Sequence, residues 1–364
     1  MTQDSSMQTP PHQPERPTLF EAKNLRVSFA VHGGEVQAVR DVSFTLRTGE
    51  TLCIVGESGS GKSVTVQSIL GLLPSPPAKI LGGELLFEGR DLLRITRSEL
   101  RQIAGNSIGM IFQDPLASLN PTMTVSDQIA ESLVLHAKMD ATGRRARVLE
   151  LLDLVRIPEP EKRMRQFPHE LSGGMRQRVM IAIALAAHPK LLIADEPTTA
   201  LDVTIQAQIL SLIRDLGRRL NMATILITHD LGVVARMADR VLVMYGGQIV
   251  EEGSVEDVFY RPKHPYTLGL RRAMPDDRGS EPLLPIPGTP PDLFKVPEGC
   301  AFAPRCPAAM RICIERAPPE HLAQGQRARC WLHHEHGHAA REQHGLFALA
   351  AEGTPLSVPE GNRI

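Results

Sequence analysis

The sequence predicts an α/β protein built on a largely parallel sheet, followed by a small irregular region that carries cysteines. Three observations predict it. Short apolar runs alternate with helical patterns from Leu19 to about Gly253, and such alternation implies parallel strands joined by crossover helices. One run, Thr51–Val55, leads into Gly56-Glu57-Ser58-Gly59-Ser60-Gly61-Lys62-Ser63 and then a helical stretch, the strand–loop–helix setting of a phosphate loop. Beyond about Pro262 the chain turns proline-rich, and Cys300, Cys306, Cys313 and Cys330 crowd together.

The elements follow in order. Residues 1–17 contain Pro10, Pro11, Pro14 and Pro17 and read as a disordered tail. Leu19–Leu46 alternates with period two, as an antiparallel β portion does. The spacing then predicts a strand at Thr51–Val55, a helix at Lys62–Leu73, a buried strand at Ile108–Phe112 and a helix at Met175–Ala187. Strands at Leu191–Ala194 and Ala223–Ile227 alternate with helices at Thr204–Arg219 and Leu231–Ala238. Arg240–Tyr245 and Gln248–Glu252 flank Gly246-Gly247, a two-residue hairpin signal. The organisation expected is a tail at 1–17, a nucleotide-binding domain at 18–260, a small cysteine-bearing domain at 261–340 and a tail at 341–364.

Composition excludes several classes. A hydrophobic fraction of 42% across 364 residues supplies a large core, and 22% charged residues do not make a disordered polyampholyte. Lys and Arg total 40 against 41 Asp and Glu, a net charge of −1, so no nucleic-acid partner is expected. The longest apolar run, Val179–Ala187, is far short of the about 20 residues a membrane span needs. Residues 1–17 lack an apolar core segment, so no secretory signal is expected and the chain should stay in the cytosol, held at a membrane only by partners.

The loop Gly56–Ser63 fits G-x-x-x-x-G-K-[ST]. Glycines let the backbone curl so that successive N–H groups point at phosphate oxygens, and the following helix adds positive partial charge. Gly56, Ser58, Gly59, Ser60 and Gly61 would form the cradle, Lys62 would reach the β- and γ-phosphates, and the Ser63 hydroxyl would ligate Mg²⁺. The run Leu191–Ala194 ends in Asp195-Glu196. Asp195 would hold Mg²⁺, and Glu196 would orient and deprotonate the attacking water. Two carboxylates suit two tasks, because metal coordination depresses the basicity of the group it uses.

At this point the residues resemble the ATP-binding cassette ATPases. Leu171-Ser172-Gly173-Gly174-Met175 is similar to the signature motif of that family and stands 20 residues before Asp195. Gln113 in Phe112-Gln113-Asp114-Pro115 resembles the Q-loop, Ala200-Leu201-Asp202 the D-loop, and His229 in Thr228-His229-Asp230 the switch histidine. Phe29 resembles the aromatic residue that stacks on adenine. The resemblance covers about residues 19–260. It implies a cassette fold with an antiparallel β portion and a helical subdomain. It also implies a composite site, in which Ser172, Gly173 and Gly174 face the γ-phosphate bound by the opposite subunit. Gln113 would sense Mg²⁺ and the attacking water, His229 would contact the γ-phosphate, and Asp202 would report across the dimer. Read alone, Ser172 and Asp202 are equally helix N-caps, Phe29 equally core, and His229 equally structural.

The C-terminal region narrows the resemblance. Pro262-Lys263-His264-Pro265-Tyr266-Thr267, the segment Pro285–Leu293, Cys306-Pro307 and Pro318-Pro319 resemble ATPase subunits of oligopeptide and dipeptide importers. Some members of that subfamily carry a [4Fe–4S] cluster on four cysteines, which this resemblance assigns to Cys300, Cys306, Cys313 and Cys330. Four thiolates suit iron–sulfur or tetrahedral zinc, and they can also stand free. The absence of C-x2-C knuckles favours the wider cluster over zinc. His333, His334, His336 and His338 read as a solvated tail, and Cys53 as a small buried apolar residue.

The resemblance therefore implies an ATP-hydrolysing subunit at the cytoplasmic face of the inner membrane, using ATP and Mg²⁺. It would work with two transmembrane permease subunits, a second, non-identical ATPase subunit and, indirectly, an extracytoplasmic solute-binding protein. Di- or oligopeptides are the expected cargo. Nickel or another small solute, or a soluble non-transport role on DNA or the ribosome, are the alternatives.

Overall fold

The structure is a computed structural model that describes residues 16–137, 139–199, 201–273, 284–323 and 325–344. Most of the expected disordered tail at 1–17, and the tail beyond His344, lie outside these residues.

Among the described residues the strands are β1 Thr18–Val31, β2 Gly34–Arg47, β3 Thr51–Val55, β4 Ala78–Phe87, β5 Arg90–Asp91 and β6 Ile108–Ile111. They continue with β7 Leu191–Asp195, β8 Ala223–Ile227, β9 Arg240–Tyr245, β10 Gln248–Ser254, β11 Glu320–Ala323 and β12 Gln326–Arg329. The antiparallel portion is a four-stranded sheet ordered β2-β1-β4-β5. The larger sheet has eight strands ordered β11-β12-β10-β9-β3-β8-β7-β6. Within it β6, β7, β8, β3 and β9 are mutually parallel, and β10 and the two C-terminal strands complete it antiparallel.

Side-chain alternation explains why the central strands are apolar throughout. Leu52 and Ile54 of β3 face the core shared with the smaller sheet and helix Lys62–Ile69. Cys53 and Val55 face the opposite core, built with helices Gly173–Leu185 and Val203–Arg219. A parallel strand covered on both faces buries both sets of its side chains. Ile54 is fully buried, and truncating such a residue to alanine costs about 2–5 kcal/mol.

The helical subdomain lies between β6 and β7. Helices Val125–His136 and Ala141–Leu154 pack their Ile129, Leu133, Val148, Leu151 and Leu152 against the signature helix, Gly173–Leu185. Thr124 and Asp140 cap the two helices, accepting from Asp127 N–H and Gly143 N–H.

Boundaries differ from the sequence expectation where a local signal was overlooked. Helix Lys62–Ile69 stops before Leu73 because Gly71 adopts φ +62°. The hairpin at Gly246-Gly247 forms with φ of +56° and +78°, the twist a two-residue turn needs. Beyond Pro262 the elements are short, yet β11 and β12 extend the large sheet through pairing of Glu251 with Ala328 and Glu252 with Arg327.

Candidate functional site: the nucleotide cleft

The parallel order of the large sheet explains how dispersed residues meet. Strands β6, β7, β8 and β3 are neighbours running the same way. Whatever follows their carboxyl ends therefore gathers along one edge, the usual ligand edge of an open α/β sheet. Gln113 follows β6, Asp195 ends β7 with Glu196 next, His229 follows β8, and the phosphate loop follows β3. Ser58, Gly59, Gly61, Lys62, Ser63, Gln113, Glu196 and His229 line one open cleft of about 400 Å³.

Close approach dictates two of the glycines. A Cβ on Gly56 would lie 2.2 Å from the Met244 carbonyl oxygen, and one on Gly61 would lie 2.4 Å from that of Ala38. Ser60 is buried beneath the loop, with a hydroxyl that has no partner among the described residues. Lys62 is buried and curls back, its Nζ donating to the carbonyls of Gly56 at 2.8 Å and Glu57 at 2.9 Å. Burial lowers the pKa of Lys62, and the carboxylates of Glu196, Asp195 and Glu57 oppose that shift.

Two carboxylates lie side by side in different surroundings. The Ser63 hydroxyl donates to Asp195 at 2.9 Å. The Asp195 pKa is raised, chiefly by burial, with hydrogen bonds from Ser63 and Gln67 working the other way. Together Ser63 and Asp195 form the hard-oxygen pair suited to Mg²⁺. Glu196 has a left-handed backbone at φ +45°, a conformation costing a non-glycine residue of order 1 kcal/mol. Its Oε2 accepts from Gln113 Nε2 at 3.2 Å and from the Thr199 hydroxyl at 2.9 Å, and lies 3.5 Å from His229 Nδ1. The carboxylate is thus held at the mouth of the cleft by three separate loops.

Other candidate residues are placed elsewhere. Phe29 is half-buried on β1, paired with Val36 and Ala78, and is not among the residues lining the cleft. Ser172 caps the signature helix, its Oγ accepting from Met175 N–H at 3.4 Å. Ser172 and Gly173 are exposed and do not reach this chain's own cleft. A Cβ on Gly174 would lie 2.8 Å from the Ile205 side chain, so the signature helix starts close against Val203–Arg219. Asp202 is exposed and caps that second helix, accepting from Ile205 N–H at 2.9 Å. Ala200 lies outside the described residues.

Sequence reasoning passed over Thr199 and Gln67. Gln67 stands one helical turn beyond Ser63, so i,i+4 spacing could have brought it to Asp195. It also passed over Glu57, which tethers the loop to the C-terminal region.

The four C-terminal cysteines line one small cavity together with His264, Phe302 and Leu332. All are free thiols. Burial raises the pKa of Cys300 and Cys306 to about 11, and raises that of Cys330 further. Among the described residues no group of three or more His, Cys, Asp or Glu is placed to hold a metal ion. The arrangement of these side chains thus gives no evidence of its own for the expected zinc or [4Fe–4S] site. Of the histidines expected as a solvated tail, His333 is instead partly buried, its Nε2 against the Lys263 carbonyl at 2.5 Å.

Residues 39–199 match the ABC transporter family and residues 250–313 the oligopeptide/dipeptide transporter C-terminal region. The chain is 58% identical over 319 residues to the oligopeptide transport ATP-binding protein OppD of Bacillus subtilis, spanning 87% of this chain and 89% of that protein. The chain belongs to the ATP-binding subunits of ABC transporters. It is also 55% identical to the dipeptide transport ATP-binding protein DppD of Bacillus subtilis, over 86% of this chain and 94% of that protein. Among solved structures, the dimeric bacterial ABC transporter cassette MJ0796 superimposes with a TM-score of 0.59 at 30% identity, over 65% of this chain and 98% of that one. The same cassette in a post-hydrolysis state bound to ADP and Pi matches equally well, at 29% identity. The chain is accordingly an ABC-type ATPase. No helix among the described residues is long and apolar enough to cross a membrane.

Proposed function

We propose that this protein is the ATP-hydrolysing subunit of an importer for di- and oligopeptides, working at the cytoplasmic face of the membrane on separate permease subunits. The observation that carries the catalytic half is the convergence of Gln113, Thr199 and His229 on Glu196, beside a phosphate loop whose Ser63 meets Asp195. The loop N–H groups and Lys62 bind the β- and γ-phosphates, with Lys62 leaving the carbonyls it now contacts. Ser63 and Asp195 would hold Mg²⁺, which would supply positive charge against the phosphates. Glu196 accepts a proton from water as the water oxygen attacks the γ-phosphorus and the bond to the ADP oxygen breaks. His229 steadies the γ-phosphate.

Support for a composite site comes from the exposure of Ser172 and Gly173 away from this chain's own cleft. Their helix start suits the γ-phosphate on an opposing ATPase subunit, which we take to be a non-identical relative. ATP then favours the closed pair, and hydrolysis reopens it. Coupling to the permeases runs near Gln113, where Phe112 and Leu116 are exposed. The peptide cargo rests on the likeness to OppD and DppD and on the matching C-terminal region.

A [4Fe–4S] cluster on Cys300, Cys306, Cys313 and Cys330 belongs to the same reading. It is supported by four thiols lining one cavity, Cys313 and Cys330 buried and Cys300 and Cys306 half-buried, and by His264 Nε2, buried there without a partner among the described residues. Such a cluster would cross-link a region of short elements.

Transport by the assembly reconstituted with defined peptides tests the proposal. ATP-dependent uptake of di- or oligopeptides is expected. Uptake of nickel but no peptide, or ATPase activity indifferent to permeases and cargo, would overturn the cargo assignment.

A further inference from the structure

One buried polar linkage joins the nucleotide cleft to the C-terminal region, and Glu57 of the phosphate loop carries it. Its carboxylate accepts two hydrogen bonds from the Arg305 guanidinium, at 2.7 and 3.0 Å. The Arg305 side chain is only 5% exposed. It also donates to the Tyr245 hydroxyl at 3.1 Å and to the carbonyls of Pro287 at 2.8 Å and Ile286 at 3.2 Å. Its guanidinium lies 5.8 Å from the Tyr245 ring centre and 5.9 Å from that of Phe302. The main chain of Glu57 is held as well, its N–H donating to the Tyr266 hydroxyl at 2.8 Å. Tyr266 is fully buried, its ring 4.5 Å from Tyr245 and 5.4 Å from Phe302.

Anchoring the C-terminal region does not by itself require this linkage. The pairing of β12 with β10, the Gln37 N–H bond to the Leu293 carbonyl at 3.2 Å and the packing of Phe294 on Gly34 already attach it. What the linkage adds is control of one loop residue through both its side chain and its backbone. A planar guanidinium with every direction occupied has little freedom to shift. Glu57 also supplies one of the two carbonyls that hold Lys62. The cradle after it, Ser58 to Ser63, is therefore oriented from a point fixed by Arg305 and Tyr266.

We propose that Arg305 and Tyr266 are positioning residues for ATP, holding the first turn of the phosphate loop through Glu57 so that nucleotide affinity depends on the C-terminal region. This rests on the ATPase function above. A parental protein that neither binds nor hydrolyses ATP would defeat that function, whereas an active parent with unaffected variants would defeat only the role of Arg305 and Tyr266.

The test uses the full-length chain, with binding of a fluorescent ATP analogue, steady-state hydrolysis and thermal melting measured together. Tyr266→Phe keeps the ring and removes the hydroxyl, Arg305→Lys keeps the charge and loses the fork, and Glu57→Gln removes the acceptor charge. Each is expected to raise the Kd and KM for ATP about threefold to tenfold, the scale of a single hydrogen bond or a weakened charged pair, with kcat changed less than twofold. Glu57→Gln combined with Arg305→Lys should raise KM no further than the worse single change. Unchanged KM in all three variants overturns the proposal, whether or not the melting temperature falls. So does a double variant whose KM rises by the product of the two single effects.

Discussion

The nucleotide cleft and the cysteine cavity are built on opposite plans. The cleft is open, and its polar groups already satisfy one another: Lys62 on loop carbonyls, Ser63 on Asp195, Gln113 and Thr199 on Glu196. The cavity is small and less open, lined by thiols and apolar side chains, with the His264 Nε2 left without a partner among the described residues. The cleft stands on regular strands whose carboxyl ends coincide. The cavity is assembled from turns and short helices such as Arg311–Glu315, tied by contacts like the Cys300 N–H bond to the Cys313 carbonyl at 2.7 Å. The difference teaches that a sheet edge can hold a reactive site ready for exchange of ligand. A cavity in irregular chain instead depends on packing between short, distant segments.

The sharpest way to break this contrast lies in the cleft. Glu196→Gln removes the proton acceptor and little else, so kcat should fall by about 10²–10⁴ while ATP binding is retained. Hydrolysis at the parental rate would show that Glu196 is not the base. The cavity is probed next with Cys300→Ser combined with Cys313→Ser. If it holds a cluster, anaerobically purified parent is brown and iron-containing, and the variant is colourless with a lower melting temperature. Iron-free, colourless parental protein would refute the resident cluster and leave the cleft untouched.

A smaller effect should come from the seam between the two regions. Glu251 is fully buried and accepts from Lys263 N–H and His264 N–H at 2.8 Å each and from Gln326 Nε2 at 2.7 Å. Burial outweighs these bonds and pushes its carboxyl up to about 7. The folded value lies above the unfolded one, so the folded state holds this proton more tightly. The resulting stability is present below about pH 4.5 and is lost as pH rises through about 7. Melting temperature should therefore decline between pH 5 and 8 by a few degrees more in the parent than in Glu251→Gln. Equal slopes would remove Glu251 from the account. The smallest change is Asp202→Ala. As a helix cap alone it costs about 1 kcal/mol, read by chemical denaturation, and any loss of ATPase cooperativity beyond that would point to contact across a dimer.

The phosphate loop was legible because its chemistry is local: eight consecutive residues form the cradle and their order is the signal. Asp195 and Glu196 were legible as a strand end, and the alternation of β1 and β2 was plain over a long run. Thr199 and Gln67 were harder, since neither lies in a motif and each matters only through the carboxylate it meets. Arg305 and Tyr266 carried no mark of their partner Glu57, which lies more than two hundred residues away. The cysteine cluster was visible as a cluster, but spacing alone does not fix how four thiols face one another.

By itself the sequence determined the cradle, the acidic strand end and the apolar strands, because those depend on neighbours along the chain and on period-two burial. Only the tertiary structure decided that Gln113, Thr199 and His229 converge on Glu196, that Ser172 faces away, and that the C-terminal region grips the loop. Such contacts follow from strand order and from packing between distant segments, and neither is written in any single stretch of residues.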